Sequence, residues 1–202
     1  MARARDSYPL IEPGDRAEWR RWLELNHATF RGIWLAIGKK GNTRTALTYD
    51  EAVEEALCFG WIDSVMNPLD DQRFKQLLTP RKPGGTWSAS NKRRLERLIA
   101  GGLMAPAGLA AIEAAKADGS WTILDDVEAL VVPSDLASAL AADPAAAANF
   151  EAFPASARRA FLWWIVSTKR PETRAKRVAE TARMAAENRR LGEPTGGTGG
   201  ST

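Results

Sequence analysis

Residues 48–66 read TYDEAVEEALCFGWIDSVM, and that stretch holds a helix, its stop and the strand that follows. Thr48 and Glu51 stand three apart ahead of an apolar stripe, the spacing of a capping box. The threonine hydroxyl can accept from the amide of residue 51 while the Glu51 carboxylate reaches back to the amide of Thr48. Ala52, Val53, Ala56 and Leu57 follow at helical spacing, and Gly60 supplies the left-handed residue on which helices commonly end. Trp61 to Met66 then reads as a strand, and alternation places Trp61 and Asp63 on one face of it.

Downstream, Gln72 to Leu78 reads as the second strand of a hairpin, with Asn67 to Asp71 as its loop. Its exposed side holds Arg73 and Lys75, or else Gln72 and Gln76, depending on register. A loop with Pro80, Pro83, Gly84 and Gly85 leads to Trp87, and Ser88 or Ser90 can cap a helix carrying Leu95, Leu98 and Ile99. Gly101-Gly102 stops it. Pro106 suits the first position of another helix, through Ala117, ending near Gly119. Upstream, residues 15–28 predict a helix with Trp19, Trp22, Leu23 and Leu25 on its apolar stripe and Asp15 and Glu18 in its first turn. Arg31 to Lys40 predicts a strand buried on both faces, since Ile33, Leu35 and Ile37 alternate with Trp34 and Ala36.

From Trp121 the pattern turns helical. Asp125 to Pro133 reads as a connector, followed by Ala-rich helices over 134–142 and 144–152. A further helix starts at Ser156, with Phe161, Trp164 and Ile165 on one face, and a last one runs from Pro171 to about Arg190. The Gly/Thr-rich stretch Gly192 to Thr202 is expected to be disordered. The fold class is therefore α+β: a small, mostly antiparallel sheet with flanking helices, followed by a helical C-terminal unit. The expected divisions are residues 1–120, 121–191 and 192–202.

A chain of 202 residues, 45% hydrophobic and 26% charged, is long enough to bury a real core and has the composition of a soluble globular protein. No apolar run approaches the roughly 18 residues of a membrane span. The stretch Met1 to Leu10 lacks the apolar core of a signal peptide, so a cytoplasmic location is expected. The single cysteine, Cys58, excludes an internal disulfide and fits a reducing compartment. One histidine, His27, and one cysteine cannot supply a zinc set without several carboxylates, and no HExxH or CxxC is present, so neither metal nor cofactor is expected. His27 also lacks the context of a nucleophilic triad.

Charge is arranged in blocks. Residues 1–68 carry a net −1, residues 69–100 +5, residues 101–168 −5 and residues 169–202 +4. Two basic blocks flanking an acidic one either pair within the fold or offer a surface to an anionic partner. The last helix, with Lys169, Arg170, Arg174, Lys176, Arg177, Arg183, Arg189 and Arg190, lacks interleaved aromatics and any recognisable DNA-binding motif, so nucleic acid ranks behind a small ligand as partner.

The residues with chemistry to offer cluster at the hairpin and the loop leaving it. Asp63 shares a face with Trp61 and needs a partner, because an unpaired buried charge is costly; Arg73, Lys75 or Arg81 could supply it. Asn91 and the amides of residues 88–90 lie at a helix N-terminus, where anions bind favourably. A basic strand end at Lys39-Lys40 could hold an anion. The expected binding residues are thus Lys40, Trp61, Asp63, Arg81, Trp87, Ser88 and Asn91. Trp61 and Trp87 would wall the pocket, Asp63 would orient it, and Arg81 with Asn91 would meet a small anionic or amide-bearing ligand or a peptide.

The segments YDEAVEEALCFGWIDS, TPRKPGGTWSASNKRRLERLI and MAPAGLAAI, with FPASARRAFLWWIVSTKRPETRAKRVAETARM near the end, resemble the bacterial YdeI/OmpD-associated, or bacteriocin-protection, family. The resemblance spans about residues 10 to 190. Its recurrent positions fall on Lys40, Trp61, Asp63, Thr79, Pro80, Arg81, Trp87, Ser88 and Asn91, and on Lys169, Arg170, Pro171, Glu172, Thr173 and Arg174. The family commonly shows a double histidine where this chain has Asn26-His27. What the resemblance implies is tolerance of bacteriocins or antimicrobial peptides and association with a porin, without a defined reaction. Three readings result: a non-enzymatic binding protein linked to stress or peptide tolerance, an enzyme using Asp63 as general base on a small metabolite, and a nucleic-acid binder using segments 73–97 and 169–190.

Overall fold

A computed structural model describes residues 7–168 and 170–193. These fall into two compact units divided between Thr122 and Ile123. In the first, β1 (Leu10–Ile11), β2 (Ile33–Gly38), β3 (Trp61–Pro68) and β4 (Arg73–Pro80) form a four-stranded sheet in the order β1-β2-β4-β3. Only the β1–β2 pair is parallel. The flanking helices are α1 (Arg16–Asn26), α2 (Tyr49–Cys58), α3 (Ala89–Ala100) and α4 (Pro106–Ala117). The fold is α+β, with a small, mostly antiparallel sheet.

The local signals explain the elements. Asp15 caps α1 by accepting from the Glu18 amide, and Thr48 with Glu51 forms a complete capping box on α2. Gly60, at φ +74°, turns the chain from α2 directly into β3. In β2, Ile33, Leu35 and Ile37 are fully buried and Trp34 and Ala36 nearly so, which matches the two-sided strand expected. β4 pairs Leu35 with Gln76 and Ala36 with Lys75, so Gln76 faces the core and Lys75 lies on the other face, its Nζ 4.8 Å from the Trp34 ring. Arg73 and Lys75 therefore mark the outer side of that strand. The hairpin loop is shorter than expected because β3 continues to Pro68. Asp70 closes it by accepting from the amides of Gln72 and Arg73.

Three further details differ from the sequence reading. β1 was not anticipated; two residues are too few to show alternation. Leu25 is exposed, because it stands two positions past the fully buried Leu23 and so faces away from the core. Glu55, on the apolar side of α2, is only 3% exposed, and its carboxylate is held by Arg16 at 2.6 Å and Arg20 at 2.8 Å, joining α1 to α2.

The second unit is helical: α5 (Asp125–Glu128), α6 (Ser134–Ala141), α7 (Pro144–Ala152), α8 (Ala155–Val166) and α9 (Pro171–Ala186). The short α5 lies within the stretch read as a connector. α9 ends at Ala186 instead of near Arg190, because Asn188 turns left-handed at φ +51°, a conformation asparagine tolerates. Phe150, Phe153 and Phe161 meet pairwise within 6.2 Å in its core, and Arg174 forks onto Asp135 at 2.7 and 3.0 Å to tie α9 to α6. Residues 194–202 of the Gly/Thr-rich stretch and Lys169 lie outside the described residues.

Candidate functional site

β4 ends at Pro80, and one more ladder bond, from the Arg81 amide to the Gly60 carbonyl at 2.9 Å, holds the next residue in line. The chain then reverses at Lys82-Pro83-Gly84-Gly85. Proline second, glycine third at φ +73° and the Gly85 amide donating to the Lys82 carbonyl at 3.1 Å make this a type II turn. Asp118, the C-cap of α4, fastens it: one carboxylate oxygen accepts from the Gly84 amide at 2.8 Å, the other from the Ser120 amide at 2.9 Å. Between this turn and α4 lies a cavity of about 90 Å³, lined by Arg81, Lys82, Pro83, Trp87, Ser120 and the alanines at 111, 114 and 115 among others.

Arg81 is the unusual residue. Its guanidinium lies 3.4 Å from the centre of the Trp87 ring, and Nη1 donates to the Thr86 carbonyl at 3.1 Å. Nε and Nη2 have no hydrogen-bond partner and are closed off from solvent. Burial pulls the Arg81 pKa down to about 10, against the field of Asp63, which favours the charged form. The hydroxyl of Ser120, a residue only 2% exposed, is likewise buried without a partner. Trp87 is itself buried against Trp121, with ring centres 5.2 Å apart. Asp63 accepts from the Tyr49 hydroxyl at 2.7 Å, and burial together with that bond pushes the Tyr49 pKa up to about 12.

The expected site residues thus divide. Arg81 and Trp87 stand together, and Asp63 acts on Arg81 through its field. Trp61 shares the Asp63 face of β3 but does not line this cavity. It is 1% exposed, donates to the His27 carbonyl at 3.2 Å and meets Trp22 edge-on at 6.1 Å. Ser88 caps α3 by accepting from the Asn91 amide. Asn91 is buried and its side-chain oxygen accepts from Arg94 at 3.3 Å. Lys40 is exposed in the turn after β2, beside the hairpin loop, where the Lys39 amide donates to the Gln72 carbonyl. The length of β4 separates that end of the sheet from Arg81, about 24 Å at the usual rise per residue. The sequence reading did not single out Tyr49, Asp118, Ser120 or the alanine face of α4. Only Asp118-Gly119-Ser120, a turn signal at a helix end, hinted at them.

His27 donates from Nδ1 to the Leu23 carbonyl at 2.8 Å and packs on Phe59, an ordinary helix-end role. Cys58 is fully buried and its thiol pKa is raised to about 11 by burial and by Glu55. Among the described residues no group of three His, Cys, Asp or Glu side chains could hold a metal ion.

Residues 11–111 match the model described as Domain of unknown function (DUF8412), and residues 129–188 match Bacteriocin-protection, YdeI or OmpD-Associated. The first model covers half of the chain, which belongs to that family, and the helical second unit matches the YdeI/OmpD-associated family over 129–188. Arg81, Trp87 and Ala111 lie within the first match, whereas Asp118 and Ser120 follow it. No curated protein and no solved structure matches the chain.

Proposed function

We propose that this is a non-enzymatic, cytoplasmic binding protein that takes a small anionic or amide-bearing ligand at Arg81. Through the family of its second unit it would serve tolerance of bacteriocins or other antimicrobial peptides. The observation that carries the reading is the buried Arg81 edge, with two donors unpartnered beside a cavity. A charged group shut from water without partners is expensive, and a ligand acceptor would relieve that cost. No helix among the described residues is long and apolar enough to cross a membrane.

Neither alternative draws comparable support. Asp63 is engaged by Tyr49 and lies outside the lining of this cavity. Several cations of the two basic segments are internally paired: Arg73 with Glu12 and Asp70, Arg94 with Asp50, Arg174 with Asp135, Arg183 with Glu180 and Glu187.

The test is a thermal-shift screen against metabolites, nucleotides and cationic peptides, run on the wild type, Arg81→Ala and Asp63→Asn. A stabilising compound whose effect is lost in Arg81→Ala, with the variant still folded, supports the reading. A compound that stabilises both equally, or no stabilising compound at all, refutes it. Survival of cells carrying Arg81→Ala under bacteriocin challenge tests the physiological half, and unchanged tolerance there would detach the site from it.

A further inference from the structure

We infer that the Arg81 cavity is built for the carboxylate of a short aliphatic monocarboxylic acid, an inference that rests on the binding role proposed above. Three features select that chemistry. Nε and Nη2 lie on one edge of the guanidinium and present two parallel N–H bonds, the fork that a planar carboxylate meets with both oxygens. Two other approaches to Arg81 are taken: Nη1 donates to the Thr86 carbonyl, and Trp87 covers one face of the guanidinium plane. Ser120, a residue of the same lining, adds a buried hydroxyl without a partner.

Charge then distinguishes a carboxylate from a phosphate. The lining carries Arg81 and Lys82 against Asp118, one net positive charge, and the field of Asp63 reduces it further. A monoanion is matched there; a dianion is not. The remaining wall is largely apolar, with Ala111, Ala114 and Ala115 offering no side-chain donor to the extra oxygens of a tetrahedral anion. An alkyl chain suits that wall, and a cavity of about 90 Å³ limits it to a few carbons. The donors are closed off from solvent, so entry of the acid requires the Lys82–Gly85 turn to part from α4, releasing the Gly84 amide from Asp118.

The experiment titrates the full chain with propionate, butyrate, propionamide, inorganic phosphate and sulfate, following the Arg81 Nε–H and Trp87 indole N–H resonances by NMR. Propionate and butyrate should saturate and move the Nε–H signal. Propionamide, phosphate and sulfate should bind at least tenfold more weakly. Arg81→Lys, which keeps the charge but loses the fork, should lose at least tenfold for the acids, Ser120→Ala a few-fold, and Ala114→Leu, at an exposed position on the cavity wall, should exclude butyrate before propionate. Phosphate or sulfate saturating in an Arg81-dependent way while the acids do not would overturn the carboxylate assignment and leave the anion-binding reading standing. Absence of saturation by every probe would overturn the carboxylate inference, while the binding reading stands or falls with the thermal-shift screen. Acid binding unchanged in Arg81→Lys would place the site elsewhere and overturn the inference.

Discussion

Gly108 is the point at which the site can be disturbed from behind. It is the third residue of α4, in the first turn, where that helix meets the end of α2. A Cβ there would stand 2.2 Å from the Cys58 carbonyl oxygen, 2.7 Å from its carbon and 2.8 Å from the Met104 methyl. The methyl can swing away. The carbonyl cannot, because it accepts from the Ala105 amide at 3.1 Å and belongs to the last residue of α2. Restoring ordinary separation requires the helices to part by about 1 Å. Gly108→Ala gains about 1 kcal/mol of helix propensity. Against that stand overpacking on rigid backbone, about 3 kcal/mol, and loss of the Ala105 bond, about 1 kcal/mol. The net is a loss of about 3 kcal/mol, which lowers Tm by roughly 6–12 °C for a chain of this size. Thermal unfolding followed by tryptophan fluorescence measures it cleanly, because six of the eight tryptophans lie in the first unit. Since α4 also carries Ala111, Ala114 and Ala115, the same shift should weaken ligand binding well below Tm. A Tm at or above the wild-type value would refute the close approach and the energetic argument with it.

Other perturbations have equally definite outcomes. Tyr49→Phe deletes the hydroxyl that Asp63 accepts from and should cost about 1–2 kcal/mol in urea unfolding. Glu55→Gln leaves Arg16 and Arg20 facing a neutral amide; chemical denaturation should show a loss of about 2–3 kcal/mol, more than Glu24→Gln at the exposed end of the same network. Cys58 has a folded pKa raised from 9.0 to about 11, so the fold keeps its proton while the unfolded chain loses it. Stability should therefore fall as pH climbs from about 9 to 11, and Cys58→Ala should flatten that slope even if it lowers stability at neutral pH. Gel shifts with duplex DNA at 150 mM salt should show no complex, because several basic side chains are spent on internal carboxylates; a salt-sensitive shift would restore the nucleic-acid reading.

Much of the fold was legible because its signals are local. The capping box at Thr48, the glycine exit at Gly60 and the alternation in β2 each act within a few residues, and each is realised. Signals that depend on distant neighbours were not legible. Whether Gln76 or Lys75 faces the core is set by pairing with Leu35 and Ala36, some forty residues earlier. Trp61 and Trp87 look alike in sequence, yet one indole is absorbed by Trp22 and the His27 carbonyl while the other stacks under a guanidinium. Lys40 seemed to belong with them only because the chain does not display the length of β4 that separates them.

The same distinction governs how the basic segment should be read. Arg73, Arg94 and Arg97 owe their neutralisation to Glu12, Asp50 and Glu54, and an exposed lysine such as Lys82 is satisfied by water. Density of positive charge therefore says little about binding. What sets Arg81 apart within that segment is a cation with two nitrogens shut off from solvent and unpaired, and the surroundings that make it so come from different parts of the chain. β4 delivers the residue, Trp87 covers its face, and α4 with Asp118 closes the wall. A fold can hold such an arrangement at a cost of several kcal/mol only if other contacts outweigh it. The neighbouring core of Trp19, Leu78, Trp87, Leu95 and Ile112 has the burial to do so. Replacing Arg81 by Met, which fills the same length without charge, should then raise Tm while abolishing anion binding, and a lowered Tm would mean that the guanidinium was never under strain.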